Sequence, residues 1–301
     1  MSDLRQLEKL MRQKAHELLN SGDVNCVLAW RKGDFYSHPE VAFFTGGRDA
    51  QVNLIYNRFC AANLSRFLID AAKRYDKTLV FLRPCDSFSF NQLVKEHLVD
   101  KDRVRVVGIG CDGCVDVDEH GNEVGLLESC SVCTKTTHAI YDELLHDDVA
   151  TRQTEDENVR FAPVEEIEAK SADERYEFWR DQLSKCIRCN ACRQACPVCN
   201  CKKCVFDDNL YDTQQKANSS EFEEQMFHII RAFHVAGRCS DCGQCSRVCP
   251  QGINLELLNR KFIKDINEFY GDFQAGADIE AKGPLTSFKH DDYDPTGRKK
   301  K

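Results

Sequence analysis

One spacing of cysteines occurs twice in this chain. Cys186-Ile-Arg-Cys189-Asn-Ala-Cys192-Arg-Gln-Ala-Cys196-Pro197 reads C-x2-C-x2-C-x3-C-P, and Cys239-Ser-Asp-Cys242-Gly-Gln-Cys245-Ser-Arg-Val-Cys249-Pro250 repeats it. Three thiolates at that spacing can wrap one face of a 4Fe–4S cube, while the fourth, just before the proline, points to a neighbouring cube. The pattern predicts Cys186, Cys189, Cys192 and Cys249 on one cluster, with Cys239, Cys242, Cys245 and Cys196 on the other. Zinc competes less well, because its tetrahedral sites use two separated pairs of ligands.

The surroundings of these motifs bear on what else the cysteines can do. Of 301 residues 18 are cysteine, and apart from Cys26, Cys60 and Cys85 they fall in groups. The N-terminus, MSDLRQLEKL, places charges where an export signal needs an apolar stretch, and no run approaches ~18 apolar residues. A cytoplasmic chain with no membrane insertion is the expectation, and there clustered cysteines read as metal or redox sites rather than disulfides. A net charge of −8 leaves no basic face for nucleic acid. The basic run Arg298 to Lys301 reads as a frayed tail.

A third group is Cys111-Asp-Gly-Cys114 with Cys130-Ser-Val-Cys133, two C-x2-C pairs. That spacing suits zinc as well as a cluster. The preceding sequence brings in a fifth thiol. Leu4, Leu7, Met11 and Leu18 mark a first helix, and Cys26 to Trp30 a short strand. A helix over 61–75 follows, then an apolar strand over 78–82, a helix over 87–98 and a strand over 104–109. Strand, helix, strand makes a parallel βαβ unit whose strands end on one edge, where open α/β sheets bind their ligands. Cys85 and Cys111 lie just past those two ends. Surplus thiolates in a chain built round iron and sulfur favour a third 4Fe–4S cluster, with zinc as the alternative.

The predicted organisation is an α/β domain over 1–148, an acidic linker over 149–174, an α-helical dicluster ferredoxin over 175–270 and a polar tail over 271–301. Phe222, Met226, Ile229, Ile230 and Phe233 recur at helical spacing between the two motifs, and Leu255 to Ile263 suggest another helix. His228 and His234 lie on the first of these. With eight thiolates already supplied, both are assigned to packing or solvent. Cys199, Cys201 and Cys204 could hold part of a further site if Cys60 or Cys26 completed it, or could be spare thiols. Gly46-Gly47-Arg48 reads as an ordinary turn, and no G-x-G-x-x-G or P-loop is present.

Leu54 to Leu64, Arg83-Pro84-Cys85-Asp86, Gly110-Cys111-Asp-Gly113 and Cys130-Ser-Val-Cys133 together resemble the F420-reducing hydrogenase and formate dehydrogenase beta-subunit family. Phe178-Trp179 leading into Cys186, and His234 to Cys239, resemble its dicluster ferredoxin half, which is also similar to the C-type subunits of heterodisulfide reductases. The resemblance implies an electron-transfer subunit beside a catalytic hydrogenase, formate dehydrogenase or heterodisulfide-reductase-like flavoprotein. It also implies Cys85, Cys111, Cys130 and Cys133 as ligands, and matches Cys60 without a role. Full-length members bind flavin and deazaflavin. The expected function is therefore single-electron relay. The alternative is an enzyme in its own right, with flavin near Cys85 and Cys111 and a deazaflavin-like hydride donor.

Overall fold

The computed structural model describes residues 4–118, 120–145, 157–207 and 221–287. Helix α1 (Leu4–Ser21) buries Leu7, Met11, Ala15 and Leu18 as one stripe and leads into β1 (Cys26–Arg31) and β2 (Glu40–Phe44), which pair antiparallel. Helix α2 (Gly47–Asn53) and the two-residue strand β3 (Leu54–Ile55) follow. The stretch expected as one helix over 61–75 is split. The Asn63 side chain accepts from Ser65 N and starts a 3-10 turn at Leu64–Phe67, and α3 covers only Leu68–Arg74.

β4 (Thr78–Leu82), α4 (Pro84–Lys95) and β5 (Val104–Gly108) form the βαβ unit, with β4 and β5 parallel over five residue pairs. β4 also runs parallel to β1. Pro84 at the first position of α4 ends the strand and starts the helix, since its fixed φ suits a helix start and it has no N–H to lose. A hairpin of β6 (Val115–Val117) and β7 (Glu123–Leu126) and a single turn, α5 (Glu128–Ser131), carry the chain to β8 (Glu143–Leu144). The main sheet runs β2-β1-β4-β5-β8, with β3 on β1. Trp30, Phe44, Phe81 and Phe90 lie fully buried about it, each contributing ~1.5–3 kcal/mol of apolar burial.

The acidic stretch after the sheet is structured where it is described. Helix α6 (Ala162–Glu168) buries Val164, and Glu168 takes Lys264 at 2.8 Å. Helix α7 (Ala172–Ser184) opens on a capping box from Ser171 and Glu174 and ends just before Cys186. Helices α8 (Ala191–Ala195), α9 (Glu221–Val235), α10 (Gln244–Arg247) and α11 (Leu255–Tyr270) frame the two motifs. The segment after α11 returns to the α/β part, with Ala275 buried and Gly276 lying against Phe88. Among the described residues, no helix is long and apolar enough to cross a membrane.

Candidate metal centres

The two cysteine motifs share a backbone conformation as well as a sequence. Arg188 and Asn190 have φ of 54° and 61°, and the matching positions Asp241 and Gly243 have 59° and 68°. Three of these four are not glycine, so the left-handed region costs each on the order of 1 kcal/mol or more. The geometry turns peptide N–H groups onto sulfur. Arg188 N donates to Cys186 Sγ at 3.3 Å, and Asp241 N–H engages Cys239 likewise. Asn190 and Gly243 then cap α8 and α10, which carry the third cysteine of each motif.

The thiols gather in crossed fours. Cys186, Cys189 and Cys192 line one small cavity with Cys249 from the other motif. Cys196 from the first motif lies within electrostatic reach of Cys239, Cys242 and Cys245. Burial pushes Cys186 up to about 12 and Cys242 up to about 11, so four bare thiolates do not suit these sites. Metal ions that replace the protons, as 4Fe–4S clusters do, meet the chemistry of the donor set.

Cations lie among the sulfurs. Arg231, 4% exposed, bonds the Cys192 carbonyl at 3.3 Å and faces Cys196, Cys199, Cys245 and Cys192. It therefore stands between the two foursomes, where their negative charge adds. Asp241, held by Arg160 at 2.8 Å and Arg260 at 3.2 Å, ties the second motif's loop to α11. Although burial opposes its charge, those two guanidiniums and Lys135 hold its carboxyl well below the usual carboxylate range.

The N-terminal group forms where the strands end. Cys85 lies in the first turn of α4 and Cys111 three residues past β5. The turn α5 brings in Cys130, whose Sγ accepts from Cys114 N at 3.4 Å. Cys114 is the centre of the group, with its sulfur hydrogen-bonded to the side chains of Cys111 and Cys130. Arg83 Nη1 also donates to it at 2.8 Å. The thiol hydrogen bonds, aided by Arg83, hold Cys114 well below the usual thiol range. Cys85 interacts with Cys133, Cys114 and the Arg83–Asp86 pair. All five sequence-selected cysteines thus converge, including Cys114, which the family resemblance did not cover.

Cys60 sits beside this group, with its carbonyl accepting from Arg83 at 2.8 Å. Cys26 is buried within β1. Neither lines the cavity that holds Cys199, Cys201 and Cys204, a space of about 790 Å³ also walled by Arg66, Phe206 and Arg231. Its walls include neither Cys85 nor Cys111, the place expected for flavin. His234 is exposed on the same cavity, whereas His228 is buried beside Cys186.

The N-terminal group abuts the second motif. A Cβ on Gly243 would collide with Ser129 of α5 and with Glu256. Gln244 donates to the Ala61 carbonyl at 2.8 Å, Asn254 to Glu128 at 2.6 Å, and Ser89 meets Ser240 at 2.7 Å. Arg247 faces Cys114 and Cys242 together. Nothing in the sequence singled out these contacts, because glycine, serine and glutamine at those positions also occur in plain loops.

Comparison with known proteins agrees with the motifs. Residues 182–253 match the model of a 4Fe-4S dicluster domain. The F420-dependent formate dehydrogenase subunit beta of Methanocaldococcus jannaschii is 27% identical over 118 residues, 38% of this chain and 30% of that protein. The F420-dependent formate dehydrogenase 1 subunit beta of Methanococcus maripaludis is 36% identical over 75 residues, 24% of this chain and 18% of that protein. The chain thus spans under a third of the length of these curated relatives. A chain from the xenon-derivatized F420-reducing NiFe hydrogenase complex of Methanosarcina barkeri aligns at 12% identity, covering 62% of this chain and 91% of that one. Its TM-score of 0.33 is too low to establish a shared fold.

Proposed function

We propose that the chain, similar over part of its length to F420-dependent formate dehydrogenase beta subunits, is an iron–sulfur electron-transfer subunit of an oxidoreductase complex. Its partner is a catalytic hydrogenase, formate dehydrogenase or heterodisulfide-reductase-like flavoprotein. The observation that carries this reading is the contiguity of three thiol groups: Arg231 stands between the two crossed foursomes, and Arg247 faces both the second foursome and the N-terminal group. An isolated binding module has no need of such a row. A relay does, because electrons pass between neighbouring centres.

Cys186, Cys189, Cys192 and Cys249 would hold one 4Fe–4S cluster, and Cys239, Cys242, Cys245 and Cys196 a second. Four of Cys85, Cys111, Cys114, Cys130 and Cys133 would hold a third, with zinc as the alternative there. Bound clusters supply one-electron redox chemistry at potentials set by burial, charge and hydrogen bonds to sulfur. The chain's own part is positional. The left-handed turns aim peptide N–H groups at sulfur, and the buried arginines offset thiolate charge. The cavity beside Cys199 is large enough for a flavin-sized molecule, which sustains a flavin-containing oxidoreductase as the second reading.

Strictly anaerobic purification from the native host, with every co-purifying protein identified, tests the proposal. A catalytic oxidoreductase in fixed ratio supports it. A chain that runs alone with stoichiometric flavin overturns it in favour of the second reading.

A further inference from the structure

His228 is 2% exposed, and both of its ring nitrogens are buried without a hydrogen-bond partner. An imidazole always carries at least one N–H, and an unmade hydrogen bond at such a depth costs ~1–3 kcal/mol. The ring sits on α9 one turn beyond Glu224. A His228 nitrogen, a Glu224 carboxylate oxygen and Cys186 Sγ all lie within 4.8 Å of one another. His228 also lines the small cavity shared by Cys186, Cys189, Cys192 and Cys249. Glu224, fully buried, takes Arg188 at 3.1 Å, and the Arg188 guanidinium lies over the Phe227 ring. The acceptors beside His228 are thus Cys186 Sγ and the Glu224 carboxylate, and the latter is already engaged by Arg188.

The second foursome is furnished differently. There Asn259 donates to Cys245 Sγ at 3.4 Å, and the carboxylates that face the sulfurs are Asp241, clamped by two arginines, and Glu256, beside Arg260. Two sites with the same set of proposed ligands thus differ in the groups placed beside their sulfurs, and such groups tune a cluster once the ligands are fixed.

We propose that His228 donates a hydrogen bond to sulfur of the cluster held by Cys186, Cys189, Cys192 and Cys249, opposed by the Glu224 carboxylate beside it, and that this pair sets that cluster's potential apart from its twin's. The proposal rests on the two-cluster reading above. A donor to sulfur favours the reduced, more negative state and raises the potential, and a nearby carboxylate lowers it.

The test is an EPR-monitored redox titration of the full chain at one fixed pH, with iron counted in every sample and Cys189→Ser used to identify which signal belongs to this site. His228→Leu should lower the midpoint of that signal and leave the other in place. His228→Gln, which keeps an N–H, should restore it, and Glu224→Gln should raise it. An unmoved midpoint in His228→Leu with full iron overturns the proposal, as does an equal shift of both signals or a strong nitrogen hyperfine coupling that makes His228 a ligand. If His228→Leu loses iron, Glu224→Gln and His228→Gln decide: an unmoved midpoint in the first, or a displaced one in the second, overturns it. Failure of the parent chain to hold two clusters is a different result, and it removes the relay reading itself.

Discussion

Arg83 Nη1 lies 2.8 Å from Cys114 Sγ, and the same guanidinium holds Asp86 at 2.8 Å through Nε. Its remaining hydrogen bonds go to the carbonyls of Cys60, Ala61 and Ala62. One buried side chain thus orders the strand end, the loop before the 3-10 turn and the central thiol of the N-terminal group. Arg83→Leu leaves Asp86 buried and unpaired, a loss on the order of 3–5 kcal/mol. Denaturant unfolding should show that loss. Arg83→Lys should recover only part of it, because an ammonium lacks the planar fork. A Leu variant as stable as the parent refutes this role.

Iron content separates the two chemistries of the N-terminal group. Anaerobically isolated protein should carry ~12 iron per chain with three 4Fe–4S clusters, and ~8 with two. Cys130→Ser should remove ~4 iron and leave the dicluster signals intact. A parent value near ~8 with stoichiometric zinc assigns the group to zinc.

Glu256 gives a pH dependence with a definite sign. Burial, against the pull of Arg260, pushes its carboxyl up to about 7, above the ~4.3 of a free glutamate. The folded chain therefore keeps this proton longer than the unfolded one. The stability it supplies is full below about pH 4 and is lost as pH rises through about 7. Glu256→Gln resembles the protonated form and should exceed the parent at pH 8 by on the order of 1–3 kcal/mol. The gap should shrink towards pH 5. A gap that widens in acid contradicts the assignment.

Gly243 has φ of 68° and no room for a Cβ against Ser129. Gly243→Ala carries a left-handed backbone cost of about 1–2 kcal/mol and forces α5 off the second motif. Lower thermal stability, with iron lost from the second foursome before the first, is the expected result. Ser129→Gly in the same chain should return part of both.

The parts of this arrangement that depend on spacing were legible in the sequence. The C-x2-C-x2-C-x3-C-P repeat has few uses other than cluster binding, and the first three thiols of one copy line a cavity with Cys249 of the other. The βαβ unit could be read because β4 and β5 are mostly apolar runs, broken in β5 only by Arg105, flanking a helix-period stretch. Neighbours brought by tertiary structure were hidden. Arg83 and Asp86 stood only as part of the Arg83-Pro84-Cys85-Asp86 string that carries the resemblance, with no role of their own, and Arg231 sat unmarked on an amphipathic helix. His228 was assigned to packing or solvent because eight thiolates needed no ninth ligand, whereas the fold brings a buried, unpartnered ring nitrogen within 4.8 Å of Cys186 Sγ. The antiparallel strands β2 and β3 escaped notice because each is short and only half patterned. The helix over 61–75 failed because Asn63 caps its own turn and resets the register.

The exchange of fourth cysteines has a mechanical side. In the proposed ligation Cys249 would close the first site and Cys196 the second, so the stretch from 196 to 249 would be bracketed at both ends by each site at once. Filled with iron and sulfur, the pair would act as a double clasp across α9 and α10, and neither half could be released without slackening the other. With that ligation, oxygen that strips one cluster would loosen the clasp for both.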